Sequence, residues 1–155
     1  MTEGELKARA RTLFLDDANA FGCAETTVMT LAAAYGLPEA SAAPGAMALS
    51  GGVGYCGEIC GALTGSAVAA GLIASSLEPD RKAAKRRAQQ AATRLVAEFR
   101  GQFDAVRCRE LIGMDINTTE KHDAFIAGGT WRTVCMRQIE FAVSRLPSLI
   151  NEPPG

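Results

Sequence analysis

One histidine, one tryptophan and sixteen basic residues set against seventeen acidic ones remove several functions at the outset. So balanced a charge offers no global field for nucleic acid or anionic lipid, so neither is an expected partner and recognition has to be local. The N-terminus, MTEGELKARA, has no apolar stretch of the kind a secretory signal needs, which makes a reducing cytoplasm the expected compartment. No Cys-x-x-Cys pair occurs anywhere in the chain. That removes the thioredoxin-like exchange motif and the paired ligands of a zinc knuckle, and without Cys-x-x-Cys-His there is no covalent haem attachment. With a single histidine, no Ser-His-Asp or Cys-His arrangement stands out, and His122, between Lys121 and Asp123 in a polar stretch, reads as a surface residue.

The 155 residues form one expected domain, 1–155, long enough to bury its own core without disulfides. Alanine is abundant while β-branched and aromatic residues are sparse, a composition that favours helices. The expected fold is all-α, with about five principal helices around a central small-residue one. Five cysteines in a reducing compartment are expected to be free thiols, metal ligands or catalytic thiols.

Along the chain, Thr2-x-x-Glu5 is a capping box, followed by Leu6, Ala10, Leu13, Phe14, Ala18 and Phe21 at helical spacing, which predicts a first helix over residues 3–21. Gly22 ends it. Cys23 then opens a second helix to Tyr35, and a thiolate at that position is favoured by the helix macrodipole; a small buried thiol packed between helices is the alternative. Residues 39–50 read as an ordered loop with one helical turn near Ala46 to Leu49. After a helix from Glu58 to Leu77, Asp80 caps another helix to Arg100 with Ala84, Ala88, Ala91, Leu95 and Phe99 on its apolar stripe. Its basic run, Arg81 to Arg87, reads as a solvated face. Residues 114–129 read as a polar loop with a short helical piece, and Thr130 is expected to cap a final helix ended by Pro147, with Cys135 on its apolar side.

The chain is organised around residues 50–75, SGGVGYCGEICGALTGSAVAAGLIAS. Gly52-Val53-Gly54-Tyr55-Cys56-Gly57 matches G-x-G-x-x-G literally, but no strand precedes it and no Walker lysine follows, so no nucleotide is expected. From Ile59 to Leu77 the helix carries no charge, but it is mostly Gly, Ala, Ser and Thr. That suits burial in protein rather than a membrane span, and this helix is expected to be the most buried. Gly61 and Gly65, spaced G-x-x-x-G, admit a close helix within the subunit or across a homo-oligomer interface. If helical, Cys56 and Cys60 would lie about 5–6 Å apart, farther than the roughly 3.5–4.5 Å between the Cβ atoms of a disulfide. On a helix, Arg107 and Arg109 point away from Cys108, so their charge reaches it only at long range.

These motifs, in this order, resemble the C_GCAxxG_C_C family. The matching residues are Gly22-Cys23-Ala24-Glu25 after Phe21, then Gly51-Gly52-Val53-Gly54 before Cys60-Gly61-Ala62-Leu63-Thr64-Gly65, then Cys108-Arg109-Glu110-Leu111-Ile112-Gly113, and Cys135. The resemblance implies a compact redox-active domain whose functional set is Cys23, Cys60, Cys108 and Cys135, with Cys56 accessory. Gly52, Gly54 and Gly61 would bring backbone against a bound group. Similar domains occur in split-Soret-type cytochromes beside an iron–sulfur cluster, which implies electron transfer through a [2Fe–2S] cluster held by the four thiolates. The same residues also suit a metal-free thiol–disulfide protein serving a redox partner protein or a small thiol, and a helical dimerisation or accessory module is the third reading.

Overall fold

The computed structural model describes residues 1–152. Its secondary structure is helical: α1 (Glu3–Phe14), α2 (Cys23–Ala34), α3 (Glu39–Gly45), α4 (Gly61–Leu77), α5 (Arg81–Phe103), α6 (Cys108–Ile112), α7 (Thr119–Gly128) and α8 (Met136–Asn151). A 3₁₀ turn spans Met47–Leu49, and a π-helical stretch, Trp131–Cys135, leads into α8. The all-α class thus stands, but eight helices are present among the described residues where about five were expected. The additional ones are short. Helix α3 forms in the alanine-rich stretch read as a loop, and α7 forms in the polar one because the Thr118 hydroxyl accepts from the Lys121 N–H at its start while Gly129 turns left-handed at its end.

Helix boundaries moved for local reasons. Helix α1 keeps its capping box, with Glu5 N–H to Thr2 Oγ1 at 3.1 Å, but stops at Phe14, seven residues early, in the Asp16–Asn19 turn. Helix α4 begins at Gly61 rather than Glu58, because residues 57–60 pair with residues 106–109 instead. Asp80 caps α5 as expected, accepting from Ala83 at 2.9 Å. That helix then runs through Gly101 to Phe103, stopped by Asp104 at φ 63°. Thr130 has helical dihedrals and makes no cap, and Pro147 lies inside α8 instead of ending it. An interior proline forfeits a helical hydrogen bond. Leu146, Leu149 and Ile150, all buried around it, hold the last turns in place.

Helix α4 packs against α2, α5 and α8, and α2 in turn against α1 and α3. The helix expected to be most buried is therefore not so: α4 leaves Ala67, Leu72 and Ser75 exposed, whereas α2 is buried without interruption from Thr26 to Ala32. Neighbours on several sides enclose α2, while α4 keeps one face toward solvent. Gly61 and Gly65 are used within the chain, since a Cβ at Gly65 would lie 2.6 Å from the Ala24 carbonyl oxygen on α2. No helix among the described residues is long and apolar enough to cross a membrane. On the far side of the molecule Phe99, Phe103 and Phe141 pack ring to ring, the first two at 4.7 Å.

Candidate functional site

Both ends of the glycine-rich segment 50–61 converge on the first turn of α2. Gly22 caps that helix, its N–H donating to Glu25 Oε1 at 3.1 Å, and the Ser50 hydroxyl accepts from Ala24 N–H at 3.4 Å. This contact draws the glycine loop against Cys23, the first residue of α2. From the other side comes Gly61. A Cβ there would sit 2.2 Å from Cys23 Sγ and 3.0 Å from Ala24 N, so the start of α4, with Cys60 as its N-cap, can approach Cys23 only through a glycine.

The loop itself is folded left-handed. Gly51, Gly52, Val53, Gly54 and Tyr55 all have φ between 58° and 70°, and Gly57 follows at 74°. For Val53 and Tyr55 this is a strained region. The chain closes on itself with Gly57 N–H to Gly51 O at 3.0 Å and Glu58 N–H to Gly52 O at 2.9 Å. Cys60 N–H then donates to Val106 O at 2.9 Å and Cys108 N–H to Glu58 O at 2.6 Å, about the isolated bridge between Ile59 and Arg107. Two cysteines 48 positions apart in sequence are thereby brought to the same antiparallel bridge, Cys60 opposite Val106 and Cys108 opposite Glu58. Arg109 secures the arrangement, its guanidinium donating to Cys56 O at 2.8 Å and to Glu58 Oε1 at 3.1 Å. Its role is to hold the loop, and its head group is directed there rather than at the Cys108 thiol.

Cys23, Cys108 and Cys135 line one cavity of about 170 Å³. Phe14 and Trp131, in edge-to-face contact with centroids 5.5 Å apart, form part of its wall. The π-helical stretch carries both Trp131 and Cys135 there, a distortion that recurs at functional sites. Cys60 is buried, 5% exposed, and its thiol donates to Gln138 Oε1 at 3.6 Å. Cys56 is exposed, its thiol nearest the Gly54 carbonyl at 3.8 Å, and it does not line the cavity. Among the expected backbone positions, Gly61 touches Cys23, Gly52 is buried against the Gly57–Glu58 backbone, and Gly54 is exposed; Gly51 is the loop glycine on the cavity wall.

The thiols sense one another. Burial pushes the Cys60 thiol far up, and negative charge on Cys23 adds to it, ahead of smaller effects from Cys135 and Cys108. Burial also raises Cys108, to about 11, with the Cys23 charge again contributing. Cys135 is raised by burial first, then by Cys23 and Cys108. Charge on Cys23 contributes to all three shifts, behind burial in each. All four thiols stand close enough to interact, yet no three His, Cys, Asp or Glu side chains among the described residues are gathered into a set that could hold a metal ion.

Two cavity residues had escaped sequence reasoning. His122, read as a surface residue, is half-buried and lines the cavity, and Tyr55 packs against it with centroids 4.5 Å apart and the rings tilted by 47°. Nothing in the spacing of residues 55 and 122 signals the contact, which the left-handed loop creates. Glu25 also lines the cavity.

A family model described as "Putative redox-active protein (C_GCAxxG_C_C)" matches residues 21–148. Neither a curated protein nor a solved structure matches the chain. The matched residues run from the residue before the Gly22 cap into the last turns of α8 and take in every thiol of the cavity, so the chain belongs to the C_GCAxxG_C_C family.

Proposed function

We propose that the four-cysteine site is a thiol–disulfide redox centre in which Cys23 is the attacking thiolate and Cys108 the resolving thiol. The observation that carries this reading is the shared cavity, with thiols from three separate elements on one accessible wall. Exchange needs thiolate character and access. Cys23 opens a twelve-residue helix, whose macrodipole favours a thiolate, and is half-buried. Cys108 is also half-buried, and its thiol is raised less than that of Cys135. Cys23 Sγ attacks one sulfur of an oxidised partner's disulfide; that S–S bond breaks, a mixed disulfide forms, and the leaving thiolate takes a proton from water. Cys108, losing its proton to solvent, then attacks Cys23 Sγ and expels the second partner thiol. Two protein thiols are oxidised and one partner disulfide is reduced. The partner is a small disulfide or a disulfide-bearing protein.

The mutual charge effects among the thiols favour a second reading, a cysteine-ligated iron–sulfur cluster in electron transfer. Four thiolates that disfavour one another's ionisation coexist when a cationic centre binds them. The donors are right in kind and number, but among the described residues they are not gathered as a ligand set. Thiol counting by alkylation and mass spectrometry, before and after mild oxidation, separates the readings. Exchange predicts loss of two accessible thiols, reversed by reductant and abolished by Cys23→Ser. Iron and acid-labile sulfide near two each in anaerobically purified protein would instead establish the cluster. An unchanged thiol count without iron would leave only a helical accessory module.

A further inference from the structure

The side chains lining the thiol cavity include no lysine and no arginine; the one carboxylate among them is Glu25. Nearby cations are engaged elsewhere. Arg132 lies over the Trp131 ring at 4.3 Å and pairs with Asp17 at 3.2 Å, while Arg107 and Arg109 both face Glu58. An anionic molecule entering here would shed water beside Glu25 and meet no lysine or arginine, a cost that grows as the dielectric falls. The walls suit a flat apolar group: Phe14, Tyr55, Phe125 and Trp131 surround the space. Its volume, about 170 Å³, compares with the roughly 150 Å³ apolar cavity that accepts benzene. One ring fits within that volume.

Resting on the thiol-exchange reading, we propose that this cavity takes small disulfides whose attacked half is a single uncharged aromatic ring, and that Glu25 turns anionic disulfides away. The ring enters between the aromatic walls with its sulfur toward Cys23. Cys23 Sγ bonds to that sulfur, the S–S bond breaks, and the other half departs to solvent as a thiolate. The disulfide itself is the oxidant.

The test compares two probes on the reduced full-length protein, 4,4′-dithiodipyridine, uncharged at neutral pH, and 5,5′-dithiobis(2-nitrobenzoate), a dianion. Each rate is normalised to that of 2-mercaptoethanol with the same probe, and adducts at Cys23 are identified by mass spectrometry. The uncharged probe is expected to react at Cys23 with a normalised rate at least tenfold higher. Glu25→Gln, which retains the cap on Gly22, is expected to raise the dianion's rate several-fold more than it raises the uncharged probe's. Equal normalised rates, or no response of the dianion to Glu25→Gln, overturn the selectivity while leaving thiol exchange standing. If Cys23 reacts with neither probe while exposed Cys56 reacts with both, thiol exchange and the selectivity fall together.

Discussion

At the residue scale, Gly61 shows how little room the site has. A Cβ there meets Cys23 Sγ at 2.2 Å and the α2 backbone at 3.0 Å, and backbone yields poorly. Gly61→Ala is expected to destabilise the protein by about 1–3 kcal/mol through overpacking and to change the alkylation rate of Cys23. Gly71, in the same helix with nothing within 4 Å of its would-be Cβ, is the control. Gly71→Ala is expected to stabilise by up to about 1 kcal/mol through helix propensity alone. Urea unfolding of the two variants checks both signs. Loss of stability at both sites would mean that contact with Cys23 is not the cause.

At the scale of elements, the glycine loop holds its shape against local preference. Val53 at φ 65° is a β-branched residue in left-handed space, where strain is about 1–2 kcal/mol, and its side chain is 44% exposed, so little packing compensates. Val53→Gly relieves the strain but frees the unfolded chain, an offset of about 0.4–1 kcal/mol. A net gain of about 0.5–1 kcal/mol is expected, seen as a higher melting temperature. The Ser50 hydroxyl accepting from Ala24 N–H at the start of the loop, and at its end the hydrogen bonds of Arg109 to the Cys56 carbonyl and Glu58 with the pairing of residues 57–60 with 106–109, explain what maintains the strain: the loop is fastened at both ends. A lower melting temperature for Val53→Gly would mean that the valine side chain packs more than its exposure implies.

At the scale of the whole molecule, buried thiols couple folding to pH. Cys60, Cys108 and Cys135 all have folded-state values above that of a free thiol. Between about pH 8.5, where unfolded cysteines ionise, and about 11, where Cys108 follows in the folded state, the unfolded chain carries fewer protons than the native one. Stability therefore falls as pH rises through this window and is fully retained below it. Urea midpoints of the reduced protein are expected to drop steadily from pH 8 to 10.5, and Cys108→Ser is expected to make the decline shallower. A midpoint that stays flat across this range would contradict the burial of these thiols.

Composition and periodicity alone determined the helical class, the capping box at Thr2, the Asp80 cap and the apolar stripe of α5, because those follow from local propensity and from 3.6-residue spacing. The order of the cysteine motifs likewise points to the family. Tertiary structure decided the rest. Helix α1 ends at Phe14 because the Asp16–Asn19 turn takes the backbone elsewhere, and α4 starts late because residues 57–60 find partners near Cys108. His122 and Tyr55 meet across 67 positions of sequence through a loop whose left-handed turn no periodicity encodes. Which cysteines face a common cavity, and which one stays buried behind it, depends on a glycine close approach and a π-helical register shift. Both are long-range packing outcomes, and sequence spacing carries no information about them.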